Sequence, residues 1–192
     1  MKNQTRNSII SLVFIALYAA MAIALEQVSK LIPFLQMPQG GSIELGIIPI
    51  FMASYHLGFK KGLATSLIWW LLGFLLGGNN WFVSVPQYLL DYIVPLFICS
   101  LASAMPKIGK ISNIYTGVVI TMFLKFMSHV LSGVYYWFPE GSTAGSVAAW
   151  TYSLGYNVWY NLATMIVAII IVPLIIRSVS HSHKNLFAGV KE

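Results

Sequence analysis

Charge is scarce in this sequence: only 8% of its 192 residues are Asp, Glu, Lys or Arg, against about a quarter in a soluble domain. With 58% hydrophobic residues, there is too little polar surface to cover a soluble fold, and the composition is that of a membrane protein. Cysteine is nearly absent. Cys99 stands alone, so no internal disulfide forms and the redox compartment is not readable from it. The phosphate-binding pattern G-x-x-x-x-G-K-[ST] does not occur, nor do G-x-S-x-G, H-E-x-x-H or CxxC, which excludes ATP hydrolysis by that route and the usual nucleophile and zinc spacings. No clear internal repeat is visible, which counts against an inverted-repeat carrier. The net charge of +6 is compatible with nucleic acid, but the basic residues stand singly between apolar runs, and topology explains them better.

What the sequence does have is hydrophobic length. Charges and breakers divide it into six apolar segments, at about 7–25, 43–59, 62–78, 84–104, 112–137 and 152–176, each read as a membrane-spanning helix. The expected fold is an all-α integral membrane protein, one bundle of six transmembrane helices. The second segment is interrupted by Pro49, and the third closes on the turn "GGNN". The fourth opens on "SVPQ", a capping serine with a first-turn proline and a glutamine three residues on. Of the eleven Lys and Arg, Lys2, Arg6, Lys60, Lys61, Lys107, Lys110, Arg177, Lys184 and Lys191 fall on one side of this scheme, Lys30 on the other and Lys125 inside a span. The positive-inside rule then puts both termini in the cytoplasm. A cleaved signal peptide is the rival reading of the first segment, because "AAMAIAL" has small residues at cleavage-like spacing. Cleavage would leave the orientation of the other spans unchanged.

Orientation turns position into depth. Glu44 opens the second segment from outside, and Asp91 lies roughly 10 Å below the outer end of the fourth. His129 is at similar depth, Lys125 one turn deeper, and Tyr152 and Asn157 enter the sixth segment from the same side. Ionisable groups inside a bilayer are costly, so they are candidates for a functional site. Ser84, Gln87, Tyr88 and Asp91 share one helical face, as do Lys125, His129, Ser132 and Tyr136, with Trp137 near its edge. Such stripes must face protein or water, so they are expected to face each other or a shared cavity.

Glu44, Asp91 and Lys125 leave about one negative charge, which a bound organic monocation would balance by ion pairing and cation–π contact. The competing reading is a closed scaffold, with Asp91 paired to Lys125 and His129 bonded to a hydroxyl. Trp137 and Tyr152 are candidates for pocket walls, whereas Tyr135, Phe138 and Trp150 fit an interfacial belt. Glu26 and Lys30 form an ordinary i, i+4 pair. His181 and His183, in the polar tail, have no acidic or cysteine companions for a metal. Ala16, Ala20 and Ala24 recur every four residues, a spacing that lets helices approach closely. Spacing alone slightly favours packing against another span of the same chain over a partner. A polar pocket without an engine suggests a binding subunit. A self-sufficient proton-coupled carrier with Lys125, His129 and Asp91 as relay, and an intramembrane enzyme using His129 and Asp91, are the alternatives.

Read together, "FIALYAAMAIA", "IELGIIPI", "PQYLLDYIVP", "KFMSHVLSGVYYW" and "YSLGYN" resemble the thiamine-specific S components of energy-coupling factor (ECF) vitamin transporters, the ThiT family, over nearly the whole chain. The resemblance implies six helices around a thiamine pocket near the extracellular side of the cell membrane. It also implies a separate ECF module, a membrane coupling protein with two ATPase subunits, that drives uptake; ATP is used by the partner and this chain carries no cofactor. Carried over by position, it implies ligand contacts from Glu44, Asp91, Tyr92, His129, Trp137, Tyr152 and Asn157, with Trp81 at a further binding position. It implies partner docking at Ala16 and Ala20. The sequence departs from the family pattern in three places: aspartate at 91 where glutamate is usual, tryptophan at 81 in place of tyrosine, and no tryptophan in "PQGGS". A thiamine precursor or another vitamin is the nearest competing ligand.

Overall fold

The computed structural model describes residues 2–38, 40–182 and 189–191, without the side chains of residues 2–5 and 182. His183, placed above in the polar tail, and Lys184, counted there on the basic side, lie outside the described residues. The described chain is helical: α1 (Lys2–Leu31), α2 (Ile47–Leu57), α3 (Phe59–Leu75), α4 (Val85–Ser100), α5 (Asn113–Tyr136) and α6 (Val147–Ser182). Three of these, Arg6–Leu31, Asn113–Tyr136 and Val147–His181, are long and apolar enough to cross a membrane. Their outer faces carry exposed apolar side chains such as Leu12, Val13 and Leu17 on α1 and Ile166, Ile170 and Leu174 on α6. Surface of that kind belongs in lipid, and this is a helical membrane protein.

The central element is the shortest of the six. Every residue of α2 from Ile47 to Tyr55 is buried, and the helix contacts α1, α3, α4 and α6. A helix apolar all round belongs inside a bundle. The expected span 43–59 is therefore too long. Residues 42–45 are extended or turn, Gly46 caps the helix, and the Gly46 Cα lies so close to the Ala22 carbonyl and the Trp69 ring that an added Cβ would overlap them. Pro49 does not interrupt the helix. It is the third residue of the first turn, where a missing N–H breaks no intrahelical bond.

Other boundaries shift for local reasons. α1 runs past Glu26 because that carboxylate is satisfied by Lys30 Nζ at 2.6 Å and Trp69 Nε1 at 2.6 Å. α3 begins at Phe59, after Gly58 at φ 82°, and ends in a left-handed Gly77 (φ 78°), with the Gly78 N–H bonded to the Gly73 carbonyl at 2.7 Å. α6 starts at Val147, five residues before Tyr152. Ser84 caps α4, its hydroxyl accepting from the Gln87 N–H.

One end of the bundle is basic. Lys61 donates to Ser11, Arg177 lies over the Tyr115 ring, and the backbone of Lys191 exchanges two hydrogen bonds with Asn113. The opposite end carries the connections 32–46, 76–84 and 137–146.

Candidate functional site

Those three connections surround a cavity of about 1020 Å³. Its floor includes Ile47 and Ile50 from the start of α2, with Pro95, Leu96 and Cys99 of α4. Glu44, Trp81, Asp91, Tyr92, His129, Trp137, Tyr152 and Asn157 all line it. The eight residues singled out above are thus brought together by six different stretches of chain.

Asp91 sits where α4 changes its winding. Residues Leu89–Ile93 form a π-helical turn, and the Val94 N–H reaches back five residues to the Leu89 carbonyl. Pro95 has no N–H to give. The Leu90 carbonyl is bonded instead by α5, whose Ser128 hydroxyl donates to it at 2.7 Å. Widened turns of this sort are frequent at functional sites. The carboxylate of Asp91 accepts from Gln87 Nε2 at 2.6 Å and from Trp137 Nε1 at 3.1 Å, both on Oδ2. Both donors are neutral. Among the described residues Asp91 has no ion-pair partner.

Lys125 goes elsewhere. Its ammonium bonds Glu44 Oε1 at 3.3 Å and Asn161 Oδ1 at 3.1 Å, 5.9 Å from the centre of the Tyr160 ring. The Asp91–Lys125 pair of the closed-scaffold reading is not formed. Its other half is: His129 Nδ1 lies 3.0 Å from the Tyr160 hydroxyl, which donates to Asn157 Oδ1 at 2.5 Å.

Four of the chain's five carboxylates line the cavity, Glu26, Glu44, Asp91 and Glu140, against two of its eleven Lys and Arg, Lys30 and Lys125. Both cations are already paired, with Glu26 and Glu44. Among the described residues, the cavity carboxylates without an ion-pair partner are therefore Asp91 inside and the exposed Glu140 on the loop. Around it the Trp81 and Trp137 rings meet edge to face at 6.2 Å, and Tyr152 stacks on Tyr156 at 5.9 Å.

Sequence spacing missed several neighbours. Tyr160, which links His129 to Asn157, follows Asn157 by three residues and so shares its face; that interval is the signal for it. Glu26 and Lys30 are more than a surface pair, since both line the cavity. Phe138, assigned to the interfacial belt, lines it as well, whereas Tyr135 is exposed and Trp150 packs against Val130 and Val134. The alanines divide: Ala19 and Ala22 are buried, while Ala16, Ala20 and Ala24 are exposed. The expectation that this stripe packs within the chain is overturned, because the helix turns the other alanines inward.

Fold and cavity together define a helical membrane protein built around a ligand-sized, acidic, aromatic-walled chamber. The sequence profile of the thiamine transporter protein family (Thia_YuaJ) matches residues 12–184, and the chain belongs to that family. It is 36% identical over 186 residues to the thiamine transporter ThiT of Bacillus subtilis (strain 168), across 90% of this chain and 93% of that protein. ThiT from Listeria monocytogenes has the same fold, with a TM-score of 0.62 over 94% of this chain and 98% of that one, at 19% identity.

Proposed function

We propose that this chain is the substrate-binding membrane subunit, or S component, of an ECF-type transporter, and that its cavity takes up thiamine from outside the cell. The observation that carries the reading is the Asp91 carboxylate, bonded by two neutral donors and without an ion-pair partner among the described residues, while Lys125 is occupied by Glu44. A permanent thiazolium cation supplies the missing positive charge, and the aminopyrimidine supplies donors for the polar wall. Trp137 and Tyr152 flank the rings; Glu44, His129, Asn157, Tyr92 and Trp81 complete the contacts. The name of the Bacillus relative, a thiamine transporter, supports the same ligand.

Orientation follows from the basic end. By the positive-inside rule Arg6, Lys60, Lys61, Lys107, Lys110, Arg177 and Lys191 stay in the cytoplasm with both termini, and the cavity faces out. The chain has no ATP-binding loop, so its power stroke comes from the ECF module, a coupling protein with two ATPase subunits. The outward Ala16 and Ala20 face of α1 is where that module docks, because small side chains let membrane helices approach closely. We read no catalysis here. The proton-relay alternative is weakened because Lys125, His129 and Asp91 direct their side chains to Glu44, Tyr160 and Gln87 rather than to one another.

The test is a titration of the purified chain with thiamine, followed by tryptophan fluorescence, with thiamine pyrophosphate and riboflavin as controls. One-to-one saturable quenching at submicromolar thiamine is expected. No response from folded protein, confirmed by calorimetry, would move the ligand to a precursor or another vitamin.

A further inference from the structure

Gln87 is fully buried and does not line the cavity, yet its amide is completely used. Its Oε1 accepts from the Val83 N–H at 2.9 Å, which fixes that atom as the oxygen and gives the amide one orientation. Both protons of Nε2 are then committed, one to Asp91 Oδ2 at 2.6 Å and one to the Trp81 carbonyl at 3.3 Å. The side chain thus ties the backbone of the Trp81 loop to a carboxylate on the π-helical turn. Trp137, whose ring meets that of Trp81, donates to the same oxygen.

The chemistry of the donor decides what this arrangement does. A lysine or arginine at 87 would hold the carboxylate more firmly but cancel its charge. A neutral amide directs the carboxylate and leaves the charge for something else.

We propose that Gln87 is the positioning residue of the binding site: it aims the Asp91 carboxylate, keeps it uncancelled for a cationic ligand, and locks its direction to the Trp81 loop. This rests on the reading above that Asp91 contacts thiamine, and it assigns a role to a side chain that never touches the ligand.

The experiment is a double-mutant cycle on the purified full-length chain, titrated with thiamine by calorimetry up to millimolar concentration. Gln87→Met keeps the length and removes the donor; losing a hydrogen bond to a charged group should weaken binding about ten- to a hundredfold. In the Asp91→Asn background the same substitution should change affinity less than about twofold, since two residues acting as one unit are not additive. Equal losses in both backgrounds would reduce Gln87 to a scaffold residue and overturn the proposal. Gln87→Glu keeps the shape but turns the donor into an acceptor facing a carboxylate, so it should lose more than Gln87→Met; losses of equal size would overturn the proposal without reference to any Asp91 variant. Native affinity in Asp91→Asn alone, where Gln87 is intact, would instead sink the underlying reading of the site.

Discussion

Lys125 and Glu44, 81 residues apart, meet at 3.3 Å across the cavity, the lysine almost wholly buried and the glutamate about a quarter exposed. This contact decides the electrostatics of the site. It occupies the buried lysine and so leaves the Asp91 carboxylate, among the described residues, with neutral donors alone.

The two halves of that pair should respond differently to removal. Glu44→Gln strands a buried ammonium, which costs about 3 kcal/mol of stability and opposes a cationic ligand, so both the thermal midpoint in detergent and thiamine affinity should fall. Lys125→Met strands a carboxylate that still reaches water, costing about 1 kcal/mol, and leaves thiamine affinity unchanged or higher. Joint loss of affinity in both variants would mean the pair contacts the ligand as a unit.

The π-helical turn offers a case where stability and binding should part company. Pro95→Ala returns an N–H that can bond a carbonyl one turn back, letting α4 relax towards ordinary α geometry and swinging Asp91 away. Stability should hold or rise while thiamine affinity drops at least tenfold. Ser128→Ala, which orphans the Leu90 carbonyl, should instead cost about 1–2 kcal/mol of stability. Paired melting curves and titrations separate the two.

Trp137 both walls the cavity and donates to Asp91. Its replacement by Phe keeps a ring and deletes the donor. Affinity should fall several-fold, and ligand-induced quenching should shrink by more than the removal of any single distant tryptophan accounts for. Trp159, exposed on α6 and outside the cavity, is the control.

On α1, a tryptophan at Ala16 or Ala20 should leave thiamine titration untouched and abolish uptake by cells carrying the transporter. Normal uptake would remove that face from the docking surface.

Much of this was written in periodicity. The i, i+3, i+4 and i+7 spacing of Ser84, Gln87, Tyr88 and Asp91 put one polar face on one helix, and the structure keeps all four in hydrogen bonds with one another or with the Asn79–Trp81 loop. What spacing does not encode is the rotation of one helix against the next. Lys125 is equally placed, on paper, to meet Asp91 or Glu44, and only the packing of α5 beside the start of α2 chooses between them. The shortness of α2 was hidden for a related reason: Ile43 and Leu45 are as apolar as the helix they precede, and it is the contact of Gly46 with Ala22 and Trp69 that marks the boundary. The π-turn has no local signature beyond Pro95, whose effect depends on donors 33 residues later in the chain, at Ser128.

The brevity of α2 also explains why there is a chamber to fill. Eleven residues rise about 16 Å, roughly half of the ~30 Å thickness of a hydrocarbon core. The taller helices around it stand like the staves of a barrel over a raised bottom, and the unfilled upper half is the well. Its depth is thus a number of residues, adjustable one turn at a time by where the chain before Ile47 stops being extended and starts to coil.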